Sequence, residues 1–205
     1  GLTPEGGDNA DSRDTDIYST ILSGDLNNDD TPGIPAVDLM NHPTRANNAY
    51  SVVTIMNITR TMTVDGLTIV GGNANSSYGP DFEPGRGGGG LYFSDTYAVT
   101  GQLNLKDVVI SGNSAKGFGG GICQYFGNLT MDDVTITGNL AGSSGGGFLQ
   151  YGTSTLKNVT VSENVAIAYG AGIYQGEIIS YDNVLVSENA SSFNGGGIAI
   201  MNSMA

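Results

Sequence analysis

The chain has 205 residues, 33 of them Gly, and its 20 acidic against 7 basic side chains leave a formal charge of −13. That balance excludes binding to nucleic-acid phosphates or anionic membranes through basic patches, and a single Cys with a single His excludes an internal disulfide and a zinc site of the usual Cys and His types. At 39% hydrophobic and 13% charged residues, with no apolar run near the roughly 20 residues of a membrane span, the composition describes one folded domain rich in turns.

Residues 1–60 read as an acidic N-terminal arm followed by degenerate first coils, and residues 61–205 as the regular repeat. Asp8, Asp11, Asp14 and Asp16 belong to the solvated arm. Tyr18 to Leu22 and Tyr50 to Ile55 are predicted strands. Between them, Asp25, Asn27 and Asp29 match the opening oxygen ligands of a calcium loop, although Asp30 stands at the glycine position and Ala36 at the closing acid position. Calcium is therefore the one candidate cofactor, and an acidic Asn-rich surface loop is the other reading of the same residues.

The first copy of a repeat opens at Thr63 (TVDGLTIVGGNA) and reaches its glycines at Gly87. It departs from later copies in two ways. Gly72 stands where they carry Asn, and a loop at about 76–87 is inserted before the glycines. Such an insertion serves either as a functional loop or as a lid over apolar surface.

From Leu103 the copies become regular. Asn113, Asn139, Asn164 and Asn189 are spaced by 26, 25 and 25 residues, and Gly121, Gly147, Gly172 and Gly197 keep the same period. Short alternating runs such as Leu129-Thr-Met131 and Val134-Thr-Ile136, separated by Gly and Asn, are not helical. Each period supplies about three short strands, one coil of an all-β, single-stranded parallel β-helix with about 25 residues per coil. Stacking places equivalent residues about 4.8 Å apart, so each alignment column becomes a ladder.

Two columns, Leu67-Val108-Val134-Val159-Val184 and Leu91-Ile122-Phe148-Ile173-Ile198, are predicted to face the core. The Asn113, Asn139, Asn164 and Asn189 amides are expected to bond one another and the turn backbone, and Gln124, Gln150 and Gln175 to repeat the device. Asp65, Lys106, Asp132, Lys157 and Asp182 alternate in sign from coil to coil. Exposed pairs of this kind contribute about 0–1 kcal/mol each, so the ladder sets register more than stability.

Candidate catalytic groups are few. Asp132 and Asp133 are expected on opposite faces of a strand and so form no carboxylate pair. Glu163 and Glu188 stack one coil apart, but they directly precede the Asn ladder and read as solvated turn residues. A binding candidate is the outward apolar strip of Tyr92, Tyr125, Leu149, Tyr151 and Tyr174, in the column that also holds Cys123 and Ala199. It suits stacking on sugars or docking another chain, unless the inserted loop or the arm covers it. Residues 179–201 form a coil followed by no polar cap, and such an end is expected to template a further coil.

The motifs Gly119-Gly-Gly-Ile122, Gly145-Gly-Gly-Phe148, Gly195-Gly-Gly-Ile198 and Ile136-Thr-Gly-Asn139 resemble those of secreted bacterial right-handed parallel β-helix proteins. They are similar to the repeats of polymorphic outer-membrane autotransporter passengers over about residues 60–205, with Ile or Val where those repeats carry Phe before Asn. The resemblance implies a secreted or surface-displayed protein acting in adhesion or as a structural layer. The expected function is a non-enzymatic extracellular building block of a surface or filamentous assembly that associates with itself through its ends. The alternative is a polysaccharide-binding or lyase-like β-helix.

Overall fold

The structure, a computed structural model, describes residues 19–80, 83–95 and 101–201. The acidic arm and Tyr18 lie outside the described residues. The first coil holds β1 (Thr20–Ser23) and β2 (Val53–Met56). The second holds β3 (Thr61–Asp65), β4 (Leu67–Val70), β5 (Asn73–Ala74) and β6 (Leu91–Ser94). Three further coils repeat one plan: β7 (Gln102–Ser111), β8 (Ser114–Ala115), β9 (Ile122–Tyr125); β10 (Asn128–Thr137), β11 (Leu140–Ala141), β12 (Phe148–Gln150); β13 (Thr153–Ser162), β14 (Val165–Ala166), β15 (Ile173–Gln175). A sixth coil follows with β16 (Ile179–Ser187), β17 (Ala190–Ser191) and β18 (Ile198–Ile200).

Every strand pairs in parallel with its equivalents in adjoining coils, giving three sheets and a parallel β-helix. A long sheet runs β1-β4-β7-β10-β13-β16, with β3 also on β7; a short sheet runs β5-β8-β11-β14-β17; a third runs β2-β6-β9-β12-β15-β18. Register follows the sequence columns residue for residue: Val134 pairs with Val108 and Val159, and Phe148 with Ile122 and Ile173. The columns from Val108 to Val184 and from Leu91 to Ile173, with the Leu129, Met131 and Leu156 side chains, make one continuous core, in which each fully buried aliphatic side chain contributes about 1.5–3 kcal/mol. The column ends predicted to face the core differ, Leu67 being half-buried and Ile198 exposed.

The long strands contain a bend that the alternation did not foretell. Asp107, Asp133, Asn158 and Asn183 adopt φ of 49°, 55°, 52° and 53°, the left-handed region, and Gly66 holds the same place in the second coil. The bend resets the alternation, so Met131 and Val134 both point inward and Asp132 and Asp133 both lie outside the core. The two aspartates are therefore not on opposite faces as expected. Asp and Asn recur at this place because their short polar side chains tolerate the left-handed conformation.

The predicted strands of the first sixty residues belong to one coil, not to several. β1 pairs with β4, and β2 pairs with β6. Between them residues 24–52 leave the helical path as a flap carrying two short 3-10 helices, Ala36–Asn41 and Pro43–Arg45. The first helix lies against β8 and β11, two and three coils beyond the flap's own strand. Only Ala49 keeps the short-sheet path, accepting the Asn73 amide and donating to the Gly24 carbonyl.

Candidate functional site

At the corner between the long and short sheets, the backbone turns away from both ladders and leaves donors and acceptors in the interior. The Asn column satisfies them. The Asn139 amide nitrogen donates to the carbonyls of Ile110 and Thr137 at 3.0 Å and to Asn164 Oδ1 at 2.9 Å. Its Oδ1 accepts from the Asn113 backbone amide and Nδ2 at 3.0 and 3.1 Å. Asn164 repeats the pattern onto Asn189, so the side chains form an unbroken amide ladder. Gly72 opens the ladder through its backbone N–H, which donates to Asn113 Oδ1 at 2.9 Å. A side chain at Gly72 would overlap the Gly89 carbonyl, which is why this coil cannot carry the Asn of the later ones.

The Gln column works differently from the expected repeat of that device. Gln124 Nε2 donates to the carbonyls of Gly127 and Thr153, and Gln150 to those of Gly152 and Ile178. Gln150 Oε1 also accepts the Glu177 amide. These side chains bridge the turn of their own coil to the next coil, and none bonds another Gln among the described residues. The reason is the turn itself: in the Gln124 coil Phe126 and Gly127 hold φ of 67° and 79°, and the Gly127 carbonyl faces the Gln amide.

Register pairs Asp65 with Lys106, Lys106 with Asp132, Asp132 with Lys157 and Lys157 with Asp182. Contact is more selective than register. Lys157 Nζ lies 3.2 Å from Asp132 Oδ2, whereas Lys106 Nζ turns to Asp107 at 3.9 Å.

The apolar strip lies on the outer face of the third sheet, but most of it is covered. Tyr92, Cys123, Leu149 and Tyr174 form a second buried cluster, with Tyr92 3% exposed and Leu149 fully buried. The expected open strip is thereby corrected for Tyr92, Leu149 and Tyr174. The cover is backbone: at Gly119 (φ 63°) the chain folds back so closely that a Cβ would sit 2.8 Å from the Cys123 Cα. Phe118 and Tyr151 pack against the cluster. Tyr125 and Tyr151 remain half-buried, their rings 6.2 Å apart edge to face, and Tyr151 continues to Tyr174 at 6.0 Å. Burial pushes the Cys123 thiol and the Tyr151 and Tyr92 hydroxyls above their usual ranges. Cys123 is thus an inert core residue.

The inserted loop is tied by Arg86, whose Nη1 donates to the Ser76 carbonyl at 2.9 Å, and by the Ser76 amide on the Gly85 carbonyl. Tyr78 projects from it almost fully exposed.

Asp25 turns its carboxylate onto its own loop. Oδ1 accepts the Asp29 amide at 3.2 Å and Oδ2 the Asp30 amide at 3.0 Å, which holds its pKa below the usual carboxylate value. Asn27 and Asp29 are exposed on that loop. Among the described residues no group of three or more His, Cys, Asp or Glu side chains is arranged to hold a metal ion. The Asp25 carboxylate, the first of the three candidate calcium ligands, caps a turn of its own loop.

One feature of the flap carries no signal in the repeat pattern. Arg45 is buried and donates through Nη2 to the Gly72 carbonyl at 2.7 Å, while its Nη1 lies 3.4 Å from Asp30 Oδ2. Asn48 joins Asp30 Oδ2 to the Gly71 carbonyl, both at 2.7 Å. Burial lowers the Arg45 pKa. These bonds pin the flap beside the corner of the helix and leave a groove of about 400 Å³ between them.

Fold and corners together define a parallel β-helix repeat protein. The model of the Chlamydia polymorphic membrane protein (Chlamydia_PMP) repeat matches residues 107–124. That segment holds the left-handed bend at Asp107, the ladder residue Asn113 and the glycines that cover Cys123, so the match falls on the residues that build one coil. No curated protein and no solved structure gives a significant match to the chain. Among the described residues no helix is long and apolar enough to cross a membrane.

Proposed function

We propose that the chain is a rigid β-helical segment of a bacterial surface protein, acting without catalysis as a building block of an adhesive or filamentous layer. The observation that carries this reading is the continuous amide ladder from Gly72 to Asn189, in which each coil presents to the next the same backbone N–H donor and the next coil answers with its Asn Oδ1. A coil of this kind is a template for further coils, whether from the same chain or another copy. The polymorphic membrane protein repeat at 107–124 supports placement at the cell surface. Glu163 and Glu188 occupy left-handed turn positions (φ 56° and 55°), a role that accounts for them without chemistry. Light scattering and electron microscopy of the chain at micromolar concentration test the assembly: end-to-end oligomers or filaments are expected. A strictly monomeric rod would overturn self-association and leave display of a lateral face as the function.

A further inference from the structure

The groove beside the flap runs along the helix axis. One wall is the outward column of the long sheet, Ser23, Val70, Ser111 and Thr137 in successive registers, in which Ser111 and Thr137 place neighbouring hydroxyls. Its floor is the next column, Gly71, Gly112 and Gly138, all in the left-handed conformation. A Cβ at Gly112 or Gly138 would meet nothing within 4 Å, so the missing side chains open the floor. One coil further, Glu163 takes the same position and ends the groove. From Gly71 to Glu163 is three coils, or about 14 Å at ~4.8 Å per coil. The volume of about 400 Å³ lies within the range of small-ligand clefts.

The flap wall holds an incomplete hydrogen-bond set. Asp30 and Arg45 side chains are 17% and 4% exposed, and their single contact leaves Asp30 Oδ1 and Arg45 Nε buried without partners. A buried acceptor and a buried donor left without partners are costly, and a ligand that satisfies both recovers that cost. Hydroxyls donate and accept, so two neighbouring ones match both atoms in kind, and reaching these buried atoms requires the Asp30 and Arg45 side chains to shift toward the groove. An ammonium ion only donates. A phosphate or carboxylate only accepts, and would face Asp25 and Glu163 in a protein of charge −13. Ile34 and Leu39 add an apolar wall suited to the C–H face of a sugar.

We propose that this groove binds a short uncharged oligosaccharide, with adjacent sugar hydroxyls on Asp30 and Arg45 and the chain lying along the Ser111 and Thr137 column. The site is separate from the Tyr125 and Tyr151 pair on the third sheet.

Calorimetric titration of the whole chain with cellotriose, maltotriose, chitotriose and, as the anionic control, trigalacturonate tests it at millimolar ligand. At least one neutral trisaccharide is expected to bind, and trigalacturonate is expected not to. Gly138→Asn, which rebuilds on the floor a side chain like the one at position 163, is expected to weaken binding at least tenfold, as is Asp30→Asn, while Tyr151→Ala leaves it unchanged. Thr137→Val keeps a β-branched residue on the strand and removes only the hydroxyl, so its expected loss of affinity stands even if Gly138→Asn fails to fold. No binding by any neutral trisaccharide, binding confined to trigalacturonate, or binding lost in Tyr151→Ala but kept in Thr137→Val would each overturn the proposal.

Discussion

At the residue scale, the corner amides carry the largest individual consequences. Asn139 is fully buried, and truncating it leaves the Asn113 amide without its acceptor and the Ile110 and Thr137 carbonyls without a donor. Each buried unsatisfied group costs about 1–3 kcal/mol, so Asn139→Ala is expected to destabilise by about 3 kcal/mol. Asn189→Ala, at a half-buried corner that water can reach, should cost about 1 kcal/mol. Urea midpoints of the two variants measure the difference, and equal losses would deny that burial sets the ladder's worth. Glu163 makes the opposite case, because it holds φ of 56° where the two preceding coils use Gly112 and Gly138. Relieving a left-handed non-glycine residue is worth about 1 kcal/mol, and Glu163→Gly should raise the midpoint accordingly. The Asn column could be read from the sequence because its period is independent of context. The need for glycine at 72 could not, since it comes from the Gly89 carbonyl, 17 residues away in the chain and in contact only after the coil closes.

At the scale of elements, the third sheet's outer face shows what alternation can and cannot tell. The pattern correctly sends Tyr92, Cys123, Leu149 and Tyr174 away from the main core, but outward from the sheet is not outward to solvent. Their cover is the backbone of the preceding glycine turns, which has no side-chain signature. The bend at Asp107 and Asp133 hid in the same way, because Asp is equally common in exposed strand positions and in left-handed turns. The buried strip has a consequence for pH. Cys123 ordinarily ionises near 9.0 and Tyr near 10.0, and burial raises Cys123, Tyr151 and Tyr92. Groups raised in the folded state stay protonated while the unfolded chain ionises. Their contribution is therefore full below pH 9 and declines as pH rises through and above the unfolded values of 9.0 for Cys and 10.0 for Tyr. Urea midpoints under reducing conditions should be flat to pH 9 and fall above it, and Cys123→Ala should move the onset upward toward the tyrosine range near 10. A midpoint that stays level through pH 11 would contradict the burial of this strip.

At the scale of the whole molecule, a β-helix is close to one-dimensional, and each coil is as stable as its own packing plus what its neighbours add. The inner coils have neighbours on both sides, and their columns are buried from Ile69 through Val161. The second, third and fourth coils gain further cover from the flap, whose helix at Ala36–Asn41 spans β8 and β11 and buries Leu39. The sixth coil has a neighbour on one side only among the described residues, and Leu185 at 57% and Ile200 at 62% exposed show how little of its surface is packed. Repetition suggests equal coils, whereas the flap comes from the non-repeating residues 24–52 and so left no period in the sequence from which this asymmetry could be foreseen. Local opening energies should follow it. Hydrogen exchange of the 205-residue chain is expected to be fastest in β16, β17 and β18, slower in β13 to β15, and slowest in β7 to β12, where the amides of Ser114, Leu140 and Gly142 lie beneath or beside the flap. Leu39→Ala should speed exchange in β8 and β11 by more than tenfold while leaving β16 to β18 unchanged, because the cavity it leaves is local to the flap. Uniform exchange across the coils would mean that the stack opens as a single unit and that the flap adds nothing to the coils beneath it.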